Sequence, residues 1–312
     1  MNLKKGDRVA IVCCSNGQDI RSKEKIDELG QVLLDTGLVP VFSDYIYDKG
    51  FGFSGTGLER ANTLMEFYRD DSIKAIFDIS GGDIGNEILP YLDFDVIAVQ
   101  DKMFWGYSDL TTIINAIYAK TGKASVLYQV RNLVGADWKE QRIRFENSFC
   151  HGKKDLFDIS CEFLEANKKP ESGSYGHVSS KKIMEPKEMD KIHMSGILVG
   201  GNIRCLLKLA GTPYWPDMNG KILFLEARSG KLSQIVTYFS QLKQMGVFEQ
   251  INGLLLGTFT ELECNPDMPQ VKDVIRDFVS GELPVAVTGE VGHGMDSKAL
   301  VIGEYLELTG EQ

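Results

Sequence analysis

The chain has 312 residues, of which 43% are apolar and 25% are charged, and its formal net charge is −10 at pH 7. A chain of this length is expected to fold as two domains, each with its own hydrophobic core. The negative charge argues against a nucleic-acid or membrane partner, because both select clustered Lys and Arg, and it favours a small peptide or another small molecule. The first residues carry no apolar segment and no apolar run approaches about 18 residues, so a cytoplasmic protein is predicted.

Residues 1–135 are predicted to form the first domain, because short β-branched runs alternate there with amphipathic segments. This alternation is typical of a doubly wound α/β domain, in which helices cover a parallel sheet and ligands bind at the carboxyl ends of the strands. The predicted strands are Arg8–Cys14, Leu38–Phe42, Lys74–Ile79, Val96–Val99, Met103–Gly106 and Ser125–Gln129. The predicted helices are Ile20–Thr36, Leu58–Arg69, Ile84–Leu92 and Leu110–Lys120.

The periodicity fades over residues 136–191, which are predicted to be a linker or irregular crossover. The polar stretch 167–190 is expected at the surface, bordering or covering the cleft between the domains. Residues 192–312 alternate again and predict a smaller α/β domain. Its predicted strands are Ile197–Val199, Ile222–Leu225, Gly253–Leu256, Val285–Thr288 and Ala299–Ile302, and its predicted helices are Ile203–Leu209, Leu232–Met245 and Val271–Val279.

Ser108 lies on a predicted turn between a strand and a helix. The apolar run stops at Gly106, and a helical pattern opens immediately after Ser108. Such a turn exposes a side chain at the carboxyl edge of a sheet, close to the first free N–H groups of the next helix, where a nucleophile would be useful. The alternative is that Ser108 or Asp109 merely caps the helix, and this segment taken alone favours capping.

Two further polar residues stand where predicted strands of the second domain end. Glu226 follows the run Lys221–Leu225, and His293 lies between two glycines after the strand at residues 285–288. Taken together, Ser108, Glu226 and His293 supply a nucleophile, an orienting carboxylate and a general base, in one of the known chain orders of a catalytic triad. A non-enzymatic protein that closes its two domains on a peptide fits the same fold class. Convergence of the three side chains in space distinguishes the two hypotheses.

Seven short motifs resemble one known family, the LD-carboxypeptidases or muramoyltetrapeptide carboxypeptidases, which include the microcin C self-immunity serine peptidases. The motifs extend along most of the chain in the family's order. They are Ser80-Gly81-Gly82, Leu89-Pro90-Tyr91-Leu92-Asp93, Gly106-Tyr107-Ser108-Asp109, Gly200-Gly201-Asn202, Gly211-Thr212-Pro213-Tyr214, Leu223-Phe224-Leu225-Glu226 and Gly292-His293-Gly294.

The resemblance implies a flavodoxin-like N-terminal domain, a swivelling-type C-terminal domain and a homodimer. It implies a serine carboxypeptidase of peptidoglycan recycling, which hydrolyses the amide bond between an L-centre and a C-terminal D-amino acid in murein peptides. Ser108 would be the nucleophile, with oxyanion donors from the backbone N–H of Asp109 and from the Gly81–Gly82 turn. The alternative substrate within the family is the aminoacyl- or peptidyl-nucleotide conjugate of microcin C-type peptidases. Ser80 replaces an arginine found in many members, which leaves the substrate open.

A carboxypeptidase must also recognise the free carboxylate of its substrate, which requires a cation or several N–H donors. The candidate cations are Arg204, Arg228 and Lys231. Asn202 is expected either to contact the substrate or to brace its own loop.

No metal or cofactor is predicted from the sequence. The four histidines, His151, His177, His193 and His293, form no HxxxH or HxH pair, and the six cysteines show no CxxC spacing, so they are interpreted as reduced and structural. The glycine-rich turn at residues 81–85 could cradle a phosphate, but no acidic partner for a ribose follows it. Cys13 and Cys14 are alternative nucleophiles, although their apolar neighbours favour burial.

Overall fold

The computed structural model describes residues 3–165 and 191–311. The strands in these ranges are β1 (Arg8–Val12), β2 (Val39–Phe42), β3 (Ile73–Asp78), β4 (Met103–Gly106), β5 (Ser125–Leu127), β6 (Glu162–Phe163), β7 (Lys191–Asn202), β8 (Ile222–Ala227), β9 (Gly253–Phe259), β10 (Val285–Val287), β11 (Leu300–Ile302) and β12 (Tyr305–Glu311). The α-helices are α1 (Lys23–Asp35), α2 (Gly57–Arg69), α3 (Phe94–Val99), α4 (Thr111–Thr121), α5 (Trp138–Cys150), α6 (Ile203–Leu207), α7 (Leu232–Gln244), α8 (Thr260–Glu263) and α9 (Val271–Val274). Short 3-10 helices cover Ile20–Ser22, Gly85–Tyr91, Ser108–Leu110, Val130–Val134 and Ile275–Asp277.

The first sheet has the strand order β11-β5-β4-β3-β1-β2. The strands β1 to β5 pair in parallel, and their order is that of a flavodoxin-like doubly wound sheet. Apolar residues of α1 and α5 pack on one face, and those of α2 and α4 pack on the other. The predicted doubly wound fold is therefore confirmed.

The second sheet has the order β12-β7-β8-β9-β10-β6. Its four central strands, β7 to β10, are parallel, whereas β12 and β6 pair with its two edges in the antiparallel sense. Strand β8 is buried along its whole length. No helix of the described ranges is long and apolar enough to cross a membrane.

The chain passes between the two sheets more than once. Strand β11 lies in sequence between β10 and β12 of the second sheet, yet it pairs with β5 in the first sheet. The segment 136–191, predicted as a linker, contains helix α5 and strand β6, and β6 pairs with β10 of the second sheet. The division at residues 135 and 191 stays a prediction, and the polar stretch 167–190 lies outside the described residues.

One predicted strand is wrong, because residues Val96–Val99 belong to helix α3. Asp93 caps this helix, and its Oδ1 accepts a hydrogen bond from the Val96 N–H at 3.1 Å. Ile97 is buried while Val99 is exposed, which is the one-sided burial of a surface helix. The β-branched composition suggested a strand, but the capping carboxylate and the one-sided packing favour a helix here.

Candidate active site

Ser108, His293 and Glu226 form a hydrogen-bonded chain at the carboxyl ends of the strands. The Oγ of Ser108 lies 3.1 Å from His293 Nε2, and His293 Nδ1 lies 2.6 Å from Glu226 Oε2. The Glu226 side chain is fully buried, and that of His293 is 10% exposed. For Nε2 to accept a proton from Ser108, the ring hydrogen must sit on Nδ1, where the Glu226 carboxylate accepts it. The structure thus brings together the three residues predicted from the sequence.

The backbone at Ser108 adopts a conformation that residues other than glycine rarely use. Its φ is +56°, at the start of the 3-10 helix that joins β4 to α4. A Cβ on Gly106 would lie 2.6 Å from the Leu110 Cβ, so the chain can turn this sharply only over a glycine. Neither the 3-10 helix nor α4 receives a side-chain cap, so capping is not the role of Ser108 or Asp109. The turn instead directs Ser108 to His293.

The predicted oxyanion donors lie on two adjoining turns. The Asp109 N–H is at the start of the 3-10 helix, where backbone donors have no partner within the helix. A Cβ built on Gly81 would lie 4.0 Å from that of Ser108, so the two turns are neighbours. The Gly81 carbonyl accepts from the Asn16 N–H at 3.1 Å. Because the peptide bond between Gly81 and Gly82 is trans, the N–H of Gly82 points in the direction opposite to the Gly81 carbonyl.

Tyr107 is a site residue that sequence reasoning missed. Its hydroxyl lies 3.4 Å from His293 Nδ1, and the two ring centroids are 4.7 Å apart at 61°. Burial, followed by the negative charge of Glu226 and a hydrogen bond to it, raises the pKa of Tyr107 well above its usual value. The phenol therefore stays protonated and can act as a donor to the carboxylate. Its only signal in the sequence was its place next to Ser108.

Asn202 has both polar atoms of its side chain engaged within the protein. Its Nδ2 donates to Glu226 Oε1 at 3.1 Å, and its Oδ1 accepts from the Cys205 N–H at 3.3 Å. The two oxygens of the Glu226 carboxylate are thus divided between Asn202 and His293. Of the two predicted roles for Asn202, these contacts favour bracing.

The candidate cations differ in how they are already paired. Arg204 bonds to Asp83 Oδ1 at 2.6 Å and to the Gly82 carbonyl at 3.3 Å. Lys231 stands at the N-terminus of α7. Arg204 therefore binds the glycine turn, and its guanidinium is less available to a ligand than the guanidinium of an arginine without an acidic partner.

Among the candidate cations near the site, Arg228 and Arg131 have no acidic partner within 4 Å among the described residues. Arg228, two residues after Glu226, is exposed, and Arg131, which sequence reasoning missed, donates to Gln18 Oε1 at 2.6 Å. Burial lowers the pKa of Arg131, Cys13 and Asp78 act in the opposite direction, and the positive charge of Arg228 adds to the lowering, so the two arginines are within electrostatic range of each other. An exposed guanidinium without an acidic partner, such as that of Arg228, is suited to bind an anion.

The alternative chemistries find less support in the described residues. Burial raises the pKa of the Cys13 and Cys14 thiols well above the usual value, which suppresses the reactive thiolate. No group of three or more His, Cys, Asp or Glu in the described ranges is arranged to hold a metal ion. His177 lies outside these ranges.

Comparisons with known proteins define the class. Models of the LD-carboxypeptidase N-terminal and C-terminal domains match residues 9–128 and 195–308. The chain therefore belongs to the LD-carboxypeptidase family of peptidases, as its motifs predicted.

Individual relatives resemble the chain over nearly its whole length. It is 26% identical to the microcin C7 self-immunity protein MccF of Escherichia coli, over 98% of this chain and 91% of that protein. It is 27% identical to the probable murein peptide carboxypeptidase of Bacillus subtilis, over 96% of this chain and 88% of that protein. The solved structure of wild-type MccF matches with a TM-score of 0.79 at 23% identity, covering 98% of this chain and 94% of that chain, which shows a common fold.

Proposed function

We propose that the protein is a serine-type LD-carboxypeptidase. Its reaction is hydrolysis of the amide bond between an L-centre and a C-terminal D-amino acid in murein peptides, as in peptidoglycan recycling. The hydrogen-bonded chain from Ser108 through His293 to Glu226 carries this proposal, with distances of 3.1 and 2.6 Å. The name of the Bacillus subtilis relative supports the substrate class. A non-enzymatic binding protein would not require this chain of hydrogen bonds.

The first half of the reaction forms an ester on Ser108. Its Oγ attacks the carbonyl carbon of the scissile amide while His293 Nε2 takes the hydroxyl proton. The N–H groups of Asp109 and Gly82 stabilise the oxyanion, and Glu226 stabilises the imidazolium through Nδ1. His293 then donates its proton to the departing amine, and the D-amino acid leaves.

The second half restores the enzyme. A water molecule loses a proton to His293 Nε2 as its oxygen attacks the ester carbon, and the same two N–H groups hold the second oxyanion. The bond to Ser108 Oγ breaks, and His293 returns the proton to that oxygen. The products are the shortened peptide, with a new carboxylate, and free Ser108.

Recognition of the substrate's C-terminal carboxylate is assigned in this proposal to Arg228, with support from Arg131. Arg228 is exposed, has no acidic partner among the described residues and follows Glu226 by two positions. A guanidinium forms bidentate, charge-assisted bonds with a carboxylate. This contact explains why an exopeptidase would require a free C-terminus.

A microcin C-type activity is the second candidate, because MccF resembles this chain over 98% of its length. MccF has been solved in complex with aspartyl sulfamoyl adenosine. The same acyl transfer to Ser108 would serve such a substrate, with a nucleotide-bearing nitrogen as the leaving group. The proposal further includes a cytoplasmic location and a homodimer, which cell fractionation and light scattering test.

The deciding experiment gives the purified protein two substrates in parallel. One is a murein tetrapeptide that ends in D-alanine, and the other is aspartyl sulfamoyl adenosine. Mass spectrometry of released D-alanine and released aspartate measures both activities. Release of D-alanine at a kcat/KM at least about tenfold higher supports the murein assignment, whereas the reverse ratio supports the second candidate. Turnover of neither substrate would contradict the proposed function.

A further inference from the structure

The carboxylate next to Ser108 is held by groups from both domains. The Asp109 side chain is fully buried, and its Oδ2 accepts from Ser15 Oγ at 2.6 Å and from the Gly85 N–H at 2.7 Å. Its Oδ1 accepts from Lys208 Nζ at 2.5 Å. A Cβ on Gly85 would lie 2.9 Å from Oδ2, so the carboxylate fits a closely packed pocket. The Asp109 backbone, which carries the proposed oxyanion donor, is therefore fixed through its side chain.

Lys208 reaches this pocket from the second domain. It follows α6 directly, and its Nζ also donates to the Asp83 carbonyl at 2.9 Å. Arg204, one turn earlier on the same element, bonds to the Gly82 carbonyl at 3.3 Å. One short element of the second domain thus contacts both turns that supply the proposed oxyanion donors of the first.

The ammonium group of Lys208 is the only cation within 4 Å of the Asp109 carboxylate among the described residues. A buried carboxylate that loses its counter-charge is strongly destabilised, so it moves towards water or recruits another partner. Either response shifts the Asp109 backbone. Displacement of a catalytic group by about 1 Å can reduce a rate by two orders of magnitude.

We propose that Lys208 is a positioning residue, which holds the Asp109 carboxylate and thereby sets the Ser108 turn and its oxyanion donor from the second domain. This inference rests on the proposed function, since it assigns the Ser108 turn to acyl transfer. Lys208 touches no reacting atom. Its contribution is expected in kcat, because it shapes the site in which the tetrahedral intermediate forms and leaves the proposed carboxylate contact at Arg228 unchanged.

The first test is a set of substitutions assayed on murein tetrapeptide. Lys208→Met keeps the length of the side chain but removes its charge, and it should lower kcat by about 10- to 100-fold with KM changed less than about threefold. Lys208→Arg should retain a larger share of kcat than Lys208→Met. The matched control is Lys243→Met, which removes an ammonium that donates to the Asp277 carbonyl at 3.1 Å within the second domain. The control should keep wild-type kcat.

The second test restores the charge chemically. Lys208→Cys should be as slow as Lys208→Met, and treatment with 2-bromoethylamine, which converts the cysteine into a lysine analogue, should recover at least about one third of wild-type kcat. Iodoacetamide, which adds neutral bulk, should recover none. Wild-type protein treated in the same way controls for reaction at the exposed Cys264.

Three results would overturn the inference. They are a Lys208→Met kcat above half the wild-type value, equal recovery with both alkylating reagents, and loss of the native circular dichroism spectrum in Lys208→Met and Lys208→Cys alike. The last result would make Lys208 a residue of general stability. A wild-type protein that releases no D-alanine would instead refute the proposed function, so the two failures can be told apart.

Discussion

The backbone N–H of Asn202 donates to Thr111 Oγ1 at 3.0 Å, across the junction between the two domains. Thr111 begins the helix that follows the Ser108 turn, and the Asn202 side chain binds Glu226. A Cβ on Gly201 would lie 2.5 Å from Thr111 Oγ1, so this approach requires glycine. This contact links the helix after the Ser108 turn to the residue that binds the Glu226 carboxylate, and together with the hydrogen bonds of His293 it closes a ring of contacts around the site.

Asn202→Ala should lower kcat roughly 5- to 150-fold, because it leaves a buried Glu226 oxygen without its donor, at a cost of about 1–3 kcal/mol. Steady-state kinetics on murein tetrapeptide measure the change. Asn252→Ala, which removes an exposed bond to the Ser195 carbonyl, is the control and should leave kcat unchanged. A rise in KM with kcat preserved would show that Asn202 contacts substrate instead.

Tyr107→Phe should reduce kcat by roughly 10- to 100-fold, since a hydrogen bond to a buried carboxylate is lost. The raised pKa of Tyr107 keeps its phenol protonated through pH 9. Ionisation of Tyr107 should therefore cause no fall in the wild-type rate at alkaline pH, and the substitution should leave the alkaline side of the pH profile unchanged. Rates between pH 5 and 9 measure both effects. Tyr128→Phe, whose hydroxyl donates to Gln141 at 2.7 Å, is the matched control. An alkaline limb that disappears in Tyr107→Phe would contradict this assignment.

The structure also predicts insensitivity to thiol reagents. Burial raises the pKa of Cys13 and Cys14, so both remain thiols at pH 7 and should resist iodoacetamide. Peptide mapping should find label on the exposed Cys264 and none on these two, with full activity retained. Inactivation in proportion to label at Cys14 would make the thiol a functional group.

Arg228→Gln should raise KM for the tetrapeptide by about 10- to 100-fold and change kcat little, because it removes a charge-assisted contact made in ground and transition states alike. A substrate ending in D-alaninamide lacks the carboxylate, and it should be a poor substrate for wild type and Arg228→Gln to the same degree. Arg69→Gln, at an exposed pair with Asp93, is the control. Equal sensitivity of Arg228→Gln and Arg69→Gln would place the carboxylate site elsewhere.

The glycine motifs explain why so much of the site could be predicted from the sequence. A turn with positive φ, or one where another part of the chain approaches the backbone closely, accepts few residues other than glycine. Gly82, Gly106 and Gly201 therefore form recognisable sequence motifs with the polar residues that they position. The doubly wound sheet could also be predicted from the sequence, because parallel strands that are buried on both faces have nearly continuous apolar sequences.

Other features of the fold and the site could not be predicted, because they depend on contacts between residues that are far apart in the sequence. Helix α5 buries Gln141 and Ser148 at helical spacing, so its inner face is partly polar and its periodicity was weak. Strand β11 was expected in the second domain, yet it pairs with β5 of the first sheet, and this pairing is decided over more than 170 residues of intervening chain. The roles of Arg131 and Lys208 likewise depend on partners about 100 residues away, Gln18 and Asp109.

The most direct test of the central claim is the release of D-alanine from murein tetrapeptide by wild-type protein and by Ser108→Ala. Removal of a triad nucleophile commonly costs on the order of 10⁴ to 10⁶ in rate. Ser108→Ala should therefore release D-alanine at least about 10⁴-fold more slowly while keeping its melting temperature, and Ser280→Ala, on an exposed turn, should behave as wild type. Release by Ser108→Ala at more than a few per cent of the wild-type rate would contradict the assignment of Ser108 as the nucleophile.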